Sequence, residues 1–212
     1  MVYLDNAATS WPKPEAVYRA MVEFTKVNGA NPGRSGHRMA VRASEKVMEC
    51  RENLARLFSI PDPLRIVFTS NGTEAVNLAL KGLLRPGDHV LLSGMEHNAV
   101  VRPLKKLESA GVELSVLKTD PEGRVDSADI AVKVRPNTKL LVVTHASNVT
   151  GTVNDLLSLG RLAKEHNIVF MVDAAQTAGN TPIHVGEAQI DLLAFPGHKG
   201  LLGPQGTGGL YV

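Results

Sequence analysis

Short, continuously apolar runs alternate along this chain with segments of helical periodicity. "RIVFTS" (65–70), "HVLLS" (89–93), "VELSVLK" (112–118), "TKLLVVTH" (138–145), "IVFMVDAAQ" (168–176), "DLLAFPGHK" (191–199) and "GTGGLYV" (206–212) read as strands. Most are apolar on successive residues rather than on alternate ones. A strand that is apolar on both sides must be covered on both sides, which predicts a mostly parallel sheet with helices on its two faces. The intervening segments supply those helices. "NGTEAVNLALKGLL" is one, with Ala75, Leu78, Ala79 and Gly82 expected to face inward. "NAVVRPLKKLESAG", "SADIAVKV" and "NDLLSLGRLAKEHN" are three more. Upstream, helices are expected from Pro14 to about Lys26 and from about Met39 to Leu57, separated by the Gly/Asn/Pro loop "NGANPGRSGH". The fold class expected is therefore α/β, three-layer. A helical segment over 1–60 should pack on a large domain over 61–212.

Composition narrows the field. At 212 residues, with 43% apolar and 21% charged, the chain can build a sizeable core. The net charge of +2, the absence of a long Lys/Arg block and only 4% aromatics argue against a nucleic-acid surface. No apolar run approaches a membrane span, and "MVYLDNAATS" lacks the character of a signal peptide. A single cysteine, Cys50, rules out an intramolecular disulfide framework. It falls on the helical face with Val47, Leu54, Leu57 and Phe58, where a thiol is expected to behave as a small hydrophobe. The expectation is a soluble, cytoplasmic protein without a metal site.

Open α/β sheets bind ligands beyond the carboxyl ends of their strands, and here those positions are unusually polar. Gly72 and Thr73 open a helix, whose free N–H groups suit a phosphate as well as a plain cap. His97 follows the second strand and Asn148 the fourth; both types also serve as ordinary loop residues. Asp173 ends an apolar strand, with Gln176 three residues on. A half-buried carboxylate there is a helix cap, an ion-pair member, or the partner of a cationic ring nitrogen. Lys199 follows His198 in a glycine-rich loop, either as a surface lysine or as a phosphate-binding or carbonyl-reactive amine. Taken in order, these residues describe a ligand with a phosphate, a stackable cationic ring, a phenolic oxygen and an aldehyde. That ligand is pyridoxal 5′-phosphate.

The same residues carry a family resemblance. "YLDNAATS" (3–10), "NPGRSGHRMA" (31–40), "TSNGTEAVN" (69–77), "MEHNA" (95–99), "THASNVTGT" (144–152), "VDAAQTAG" (172–179) and "FPGHKGLLGPQGTGGLYV" (195–212) resemble the class V aminotransferases of fold type I. The branch they resemble is that of the cysteine desulfurases and selenocysteine lyases. The resemblance implies that Lys199 forms the Schiff base with pyridoxal 5′-phosphate and that His97 stacks on its ring and takes part in proton transfer. It implies that Asp173 pairs with the ring nitrogen and Gln176 with the phenolic oxygen. Gly72, Thr73 and His198 would hold the phosphate. Asn148 would lie near the substrate carboxylate and the phenolic oxygen, and Ala7, Ala8, Asn31 and His37 would flank the substrate pocket. It also implies a small amino-acid substrate (cysteine or selenocysteine), a sulfur-acceptor protein and a homodimer.

Two departures stand out. Relatives commonly carry Ser where this chain has Pro196, which offers neither hydroxyl nor N–H. The family's small C-terminal domain, with its nucleophilic cysteine and substrate-binding arginine, has no counterpart within these residues. Three alternatives stay open at this point: another class V reaction, a truncated chain that binds the cofactor without turnover, and a nucleotide-binding module. The last lacks both G-x-G-x-x-G and G-x-x-x-x-G-K-[ST].

Overall fold

The computed structural model describes residues 2–34 and 36–212. Seven strands, β1 (Ile66–Thr69), β2 (His89–Leu92), β3 (Glu113–Val116), β4 (Thr138–Thr144), β5 (Val169–Asp173), β6 (Leu192–Pro196) and β7 (Gly208–Tyr211), form one sheet. Its order is β1-β7-β6-β5-β4-β2-β3. Only β7 runs against its neighbours β1 and β6; the other pairings are parallel. Helices α1 (Glu15–Val27), α2 (Arg38–Phe58), α3 (Gly72–Leu83), α4 (Asn98–Glu108), α5 (Ala128–Lys133) and α6 (Leu156–Glu165) complete the fold.

Alternate residues of the central strands enter two separate cores. Leu141, Val143, Phe170, Val172, Leu193 and Phe195 pack with Ala55 and Phe58 of α2, Ile130 of α5, and Leu156, Leu159 and Ala163 of α6. Leu140, Val142, Met171 and Ala194, one residue out of phase, pack with Ala75, Val76, Ala79 and Leu80 of α3 and Val100 and Leu104 of α4. Each fully buried Val, Leu, Ile or Phe is worth roughly 1.5–3 kcal/mol, so neither face can be left open. Three layers follow.

Chain handedness decides which helix covers which face. Right-handed crossovers place a helix according to the direction of travel along the sheet. The connections β1–α3–β2 and β2–α4–β3 travel toward the β3 edge, and their helices share one face. The connections β3–α5–β4 and β4–α6–β5 travel back, and their helices share the other. The reversal lies between β2 and β4, and such a switch point opens a crevice at the carboxyl ends of the strands.

Several local expectations are corrected. Leu78, 49% exposed, and Gly82 lie on the outer side of α3; Val76 and Leu80 take the inward positions instead. Helix α1 buries no residue, although its apolar spacing is helical. In α2 the buried side chains are Ala40, Ala43, Ala55 and Phe58, while Cys50 and Leu57 are exposed. The stripe Val47–Cys50–Leu54–Leu57–Phe58 thus reaches the core only through Phe58 and the partly buried Leu54.

Gly160 shows how tightly α6 sits. A Cβ there would come within 1.9 Å of the Ala188 carbonyl oxygen, so the glycine is required by close approach and not by backbone freedom. Helix propensity alone favours alanine over glycine by about 1 kcal/mol. Gly160→Ala should nevertheless destabilise the protein, lowering the thermal midpoint by several degrees in calorimetry; an unchanged or higher midpoint would contradict this packing.

Candidate cofactor site

One cleft opens at the carboxyl ends of the strands. It is lined by Asn71, Gly72, Thr73, His97, Ala99, Thr144, Ala146, Asn148, Asp173, Ala175, Gln176, Pro196, His198 and Lys199. Eight residues singled out from sequence therefore meet in one place: Gly72, Thr73, His97, Asn148, Asp173, Gln176, His198 and Lys199. The sheet brings them together, since β1, β2, β4, β5 and β6 all end on this side.

The start of α3 is built to receive an anion. Asn71 caps the helix, its Oδ1 accepting from the Glu74 amide at 2.8 Å. The Glu74 carboxylate turns back to accept from Ser70 N and Oγ at 2.6 and 2.7 Å. The amides of Gly72 and Thr73 keep no protein acceptor among the described residues and face the cleft at the positive end of the helix dipole. A Cβ on Gly72 would lie 3.3 Å from the Pro196 ring and nitrogen, and one on Gly208 would lie 2.6 Å from the backbone of Asn71. Both glycines are close-approach positions that hold the helix start against β6 and β7.

Asp173 ends β5 and is buried. One carboxylate oxygen, Oδ1, accepts from the Ala175 amide at 2.9 Å; the other has no hydrogen-bond partner among the described residues. Burial raises its pKa, opposed by the Ala175 bond and by the charges of His97 and Lys199. An oxygen of this kind in a cleft calls for a cationic or N–H partner. Lys199 is half-buried, and its ammonium makes no hydrogen bond or ion pair among the described residues. Burial lowers its pKa, partly offset by Asp173. A larger share of free amine results, which is what a carbonyl-reactive lysine needs.

His97 Nδ1 accepts from the Ala99 amide at 3.1 Å, so the ring caps α4 while lining the cleft. His198 Nδ1 lies 3.0 Å from Thr9 Oγ1; burial, then the charges of Lys199 and Lys13, lower its pKa. Gln176 Nε2 donates to the Ala7 carbonyl at 3.3 Å, which brings that residue to the margin of the cleft. Ala8, Asn31 and His37 are not among the cleft residues. Asn31 Oδ1 accepts from Gly33 N, and His37 caps α2 through a bond from the Ala40 amide.

Sequence reasoning passed over Glu96, although it stands directly before His97. Its Oε1 accepts from Ser93 Oγ and, at 2.6 Å, from the Thr144 amide, tying the loop after β2 to the end of β4. Its Oε2 is buried without a partner. Burial, reinforced by Asp173, pushes the Glu96 carboxyl up to about 8 against the pull of those two hydrogen bonds. A charged residue between an apolar strand and a helix start is the signal that could have marked it. Among the described residues no group of three or more His, Cys, Asp or Glu could hold a metal ion, and no helix is long and apolar enough to cross a membrane.

Fold and cleft together define a three-layer α/β domain with an anion cradle, a buried carboxylate and an unpaired lysine at the strand ends. The sequence model of the family described as Aminotransferase class-V matches residues 2–212, and the chain belongs to that family. It is 43% identical over 211 residues to a probable cysteine desulfurase of Methanothermobacter thermautotrophicus, covering 99% of this chain and 52% of the relative. It is 40% identical to the cysteine desulfurase IscS of Vibrio campbellii, covering 100% and 53%. Among solved structures, an apo cysteine desulfurase from Thermococcus onnurineus NA1 superposes with a TM-score of 0.92 at 36% identity, over 100% of this chain and 53% of that one. A structure described as SspA in complex with cysteine gives 0.93 at 33% identity, over 100% and 61%. The chain spans about half the length of the curated relatives it matches.

Two buried groups set opposite pH slopes. The folded pKa of Glu96, raised to about 8 from 4.5, makes its contribution to stability complete below pH 4.5 and lost as pH rises through 8. Burial lowers His145, whose Nδ1 meets Thr177 Oγ1 at 2.9 Å, to about 4 from 6.5. Its contribution is present above pH 6.5 and lost as pH falls through 4. The Glu96→Gln variant should therefore gain stability relative to the parent as pH rises from 6.5 to 8.5. Denaturant melts at both pH values check this; a difference independent of pH would sink it.

Proposed function

We propose that this chain is the cofactor-binding portion of a pyridoxal 5′-phosphate enzyme of the cysteine desulfurase type. Residues 61–212 would form the large domain and 1–60 a helical segment packed on it. The observation that carries the reading is the cleft itself: a buried carboxylate with one free oxygen stands beside an unpaired, half-buried lysine and two unbonded helix-start amides. Those features fit the cofactor's cationic ring nitrogen, aldehyde and phosphate respectively.

Bound here, pyridoxal 5′-phosphate would supply an aldehyde and a ring that withdraws electrons from the substrate's α-carbon. The chain's own residues do the rest. The amides of Gly72 and Thr73, the Thr73 hydroxyl and His198 bind the phosphate, and they do so without the hydroxyl that Pro196 lacks. Asp173 Oδ2 would accept the ring N–H and hold its proton in place, a charge-assisted bond. Gln176 would donate to the phenolic oxygen, and Asn148 would lie near that oxygen and the substrate carboxylate. Lys199 provides the amine. His97 would stack on the ring and could move a proton through Nε2.

The substrate class is a small thiol or selenol amino acid, cysteine first, as the relatives' names support. Sulfur would pass to a cysteine outside these residues and on to an acceptor protein, in a homodimer located in the cytoplasm. Cys50 does not serve: it lies on α2, away from the cleft residues, and burial around its sulfur raises the thiol pKa.

Titration of the purified chain with pyridoxal 5′-phosphate should produce a visible absorbance band that Lys199→Ala abolishes. Asp173→Asn, which removes the charge but keeps the shape, should weaken binding by about tenfold or more. A parent chain with no such band would refute the reading.

A further inference from the structure

We infer that Lys13 is a positioning residue for the Lys199 loop: it clips the N-terminal segment onto the carbonyl of His198, the group directly preceding Lys199 in the chain. Four donors converge on that one oxygen. The Ser10 amide, Ser10 Oγ and Thr9 Oγ1 each lie at 3.1 Å, and Lys13 Nζ lies at 2.8 Å. The ammonium is the nearest and the only charged donor, which makes its bond the strongest of the set. Lys13 Nζ also donates to Ser10 Oγ at 2.7 Å, so cation and hydroxyl reach the carbonyl as a unit. The ring of the same histidine is held by the same stretch, Nδ1 to Thr9 Oγ1 at 3.0 Å.

The rest of the segment shows that this attachment is specific. Residues 2–13 form no helix or strand, and α1 beyond them buries no side chain. Among the described residues, the segment's hydrogen bonds to distant parts of the chain end on two residues only. Thr9, Ser10 and Lys13 reach His198, and the Ala7 carbonyl accepts from Gln176. Both targets line the cleft. The N-terminal segment is thus fastened to the cleft and not to the core, and Lys13 is its charged fastener. Without that cation, the His198–Lys199 peptide loses its closest tether and the His198 ring loses one of the two cations, Lys13 and Lys199, that depress its protonation.

The test uses the full chain with Lys13→Met and Lys13→Arg, first without cofactor. In Lys13→Met the His198 ring, followed by NMR, should titrate at higher pH than in the parent. Amide exchange over residues 198–203 should rise by about tenfold, while β4 and β5 exchange as before. Lys13→Arg should restore both. Unchanged His198 titration and loop exchange, or a rise in exchange spread equally over the sheet, would overturn the assignment. A third arm rests on the proposed cofactor: its dissociation constant should weaken about tenfold in Lys13→Met and recover in Lys13→Arg, and equal affinity in all three chains also counts against Lys13. If no form binds pyridoxal 5′-phosphate, the cofactor reading fails while the first two arms still judge Lys13.

Discussion

The cleft depends on strands that are apolar on both sides. Because β4, β5 and β6 give alternate residues to two cores, they cannot tilt or slip without exposing one of them. A one-residue shift of β5 would exchange Phe170 and Val172 with Met171 between the faces. Asp173 is the last residue of that strand, so its place is fixed by the burial of the residues before it. The same holds for Pro196 at the end of β6, three residues before Lys199. The polar constellation is rigid because apolar packing upstream leaves it no alternative.

That rigidity concentrates charge that the domain does not itself balance. Asp173 and Glu96 are buried acids whose pKa values burial raises, Glu96 further so by the charge of Asp173, and neither forms an ion pair among the described residues. Lys199 and His198 are basic groups depressed by burial. Burial shifts all four groups toward their neutral forms. A ligand bearing a cationic ring and an anionic tail reverses the preference at both ends, offering Asp173 a positive partner and His198 a negative one. Stability, protonation and ligand binding are therefore one linked equilibrium in this cleft.

Much of this was legible in the residues. The alternation of apolar runs and helical segments set the three layers, and strand-end residues such as Asp173, His97 and Lys199 could be picked out because a sheet has only one carboxyl side. What stayed hidden has physical reasons. Leu78 and Val76 fit the helical pattern almost equally, and only the angle at which α3 crosses the sheet decides between them. The α2 stripe containing Cys50 has good apolar periodicity, yet only Leu54 and Phe58 of it reach the core. Glu96 was overlooked because its role depends on Thr144, 48 residues away. Lys13 was invisible for the same reason, its acceptor lying 185 residues along the chain. Among the glycines of the last loop only Gly206 has a left-handed φ; the others permit close approach, which a list of glycines does not reveal.

The cap that His97 places on α4 has an electrical meaning. While Nδ1 accepts from the Ala99 amide, a neutral ring must carry its hydrogen on Nε2. The cap thereby selects the tautomer: the start of α4 takes up the acceptor nitrogen, and His97 presents an Nε2 hydrogen donor to whatever enters the cleft.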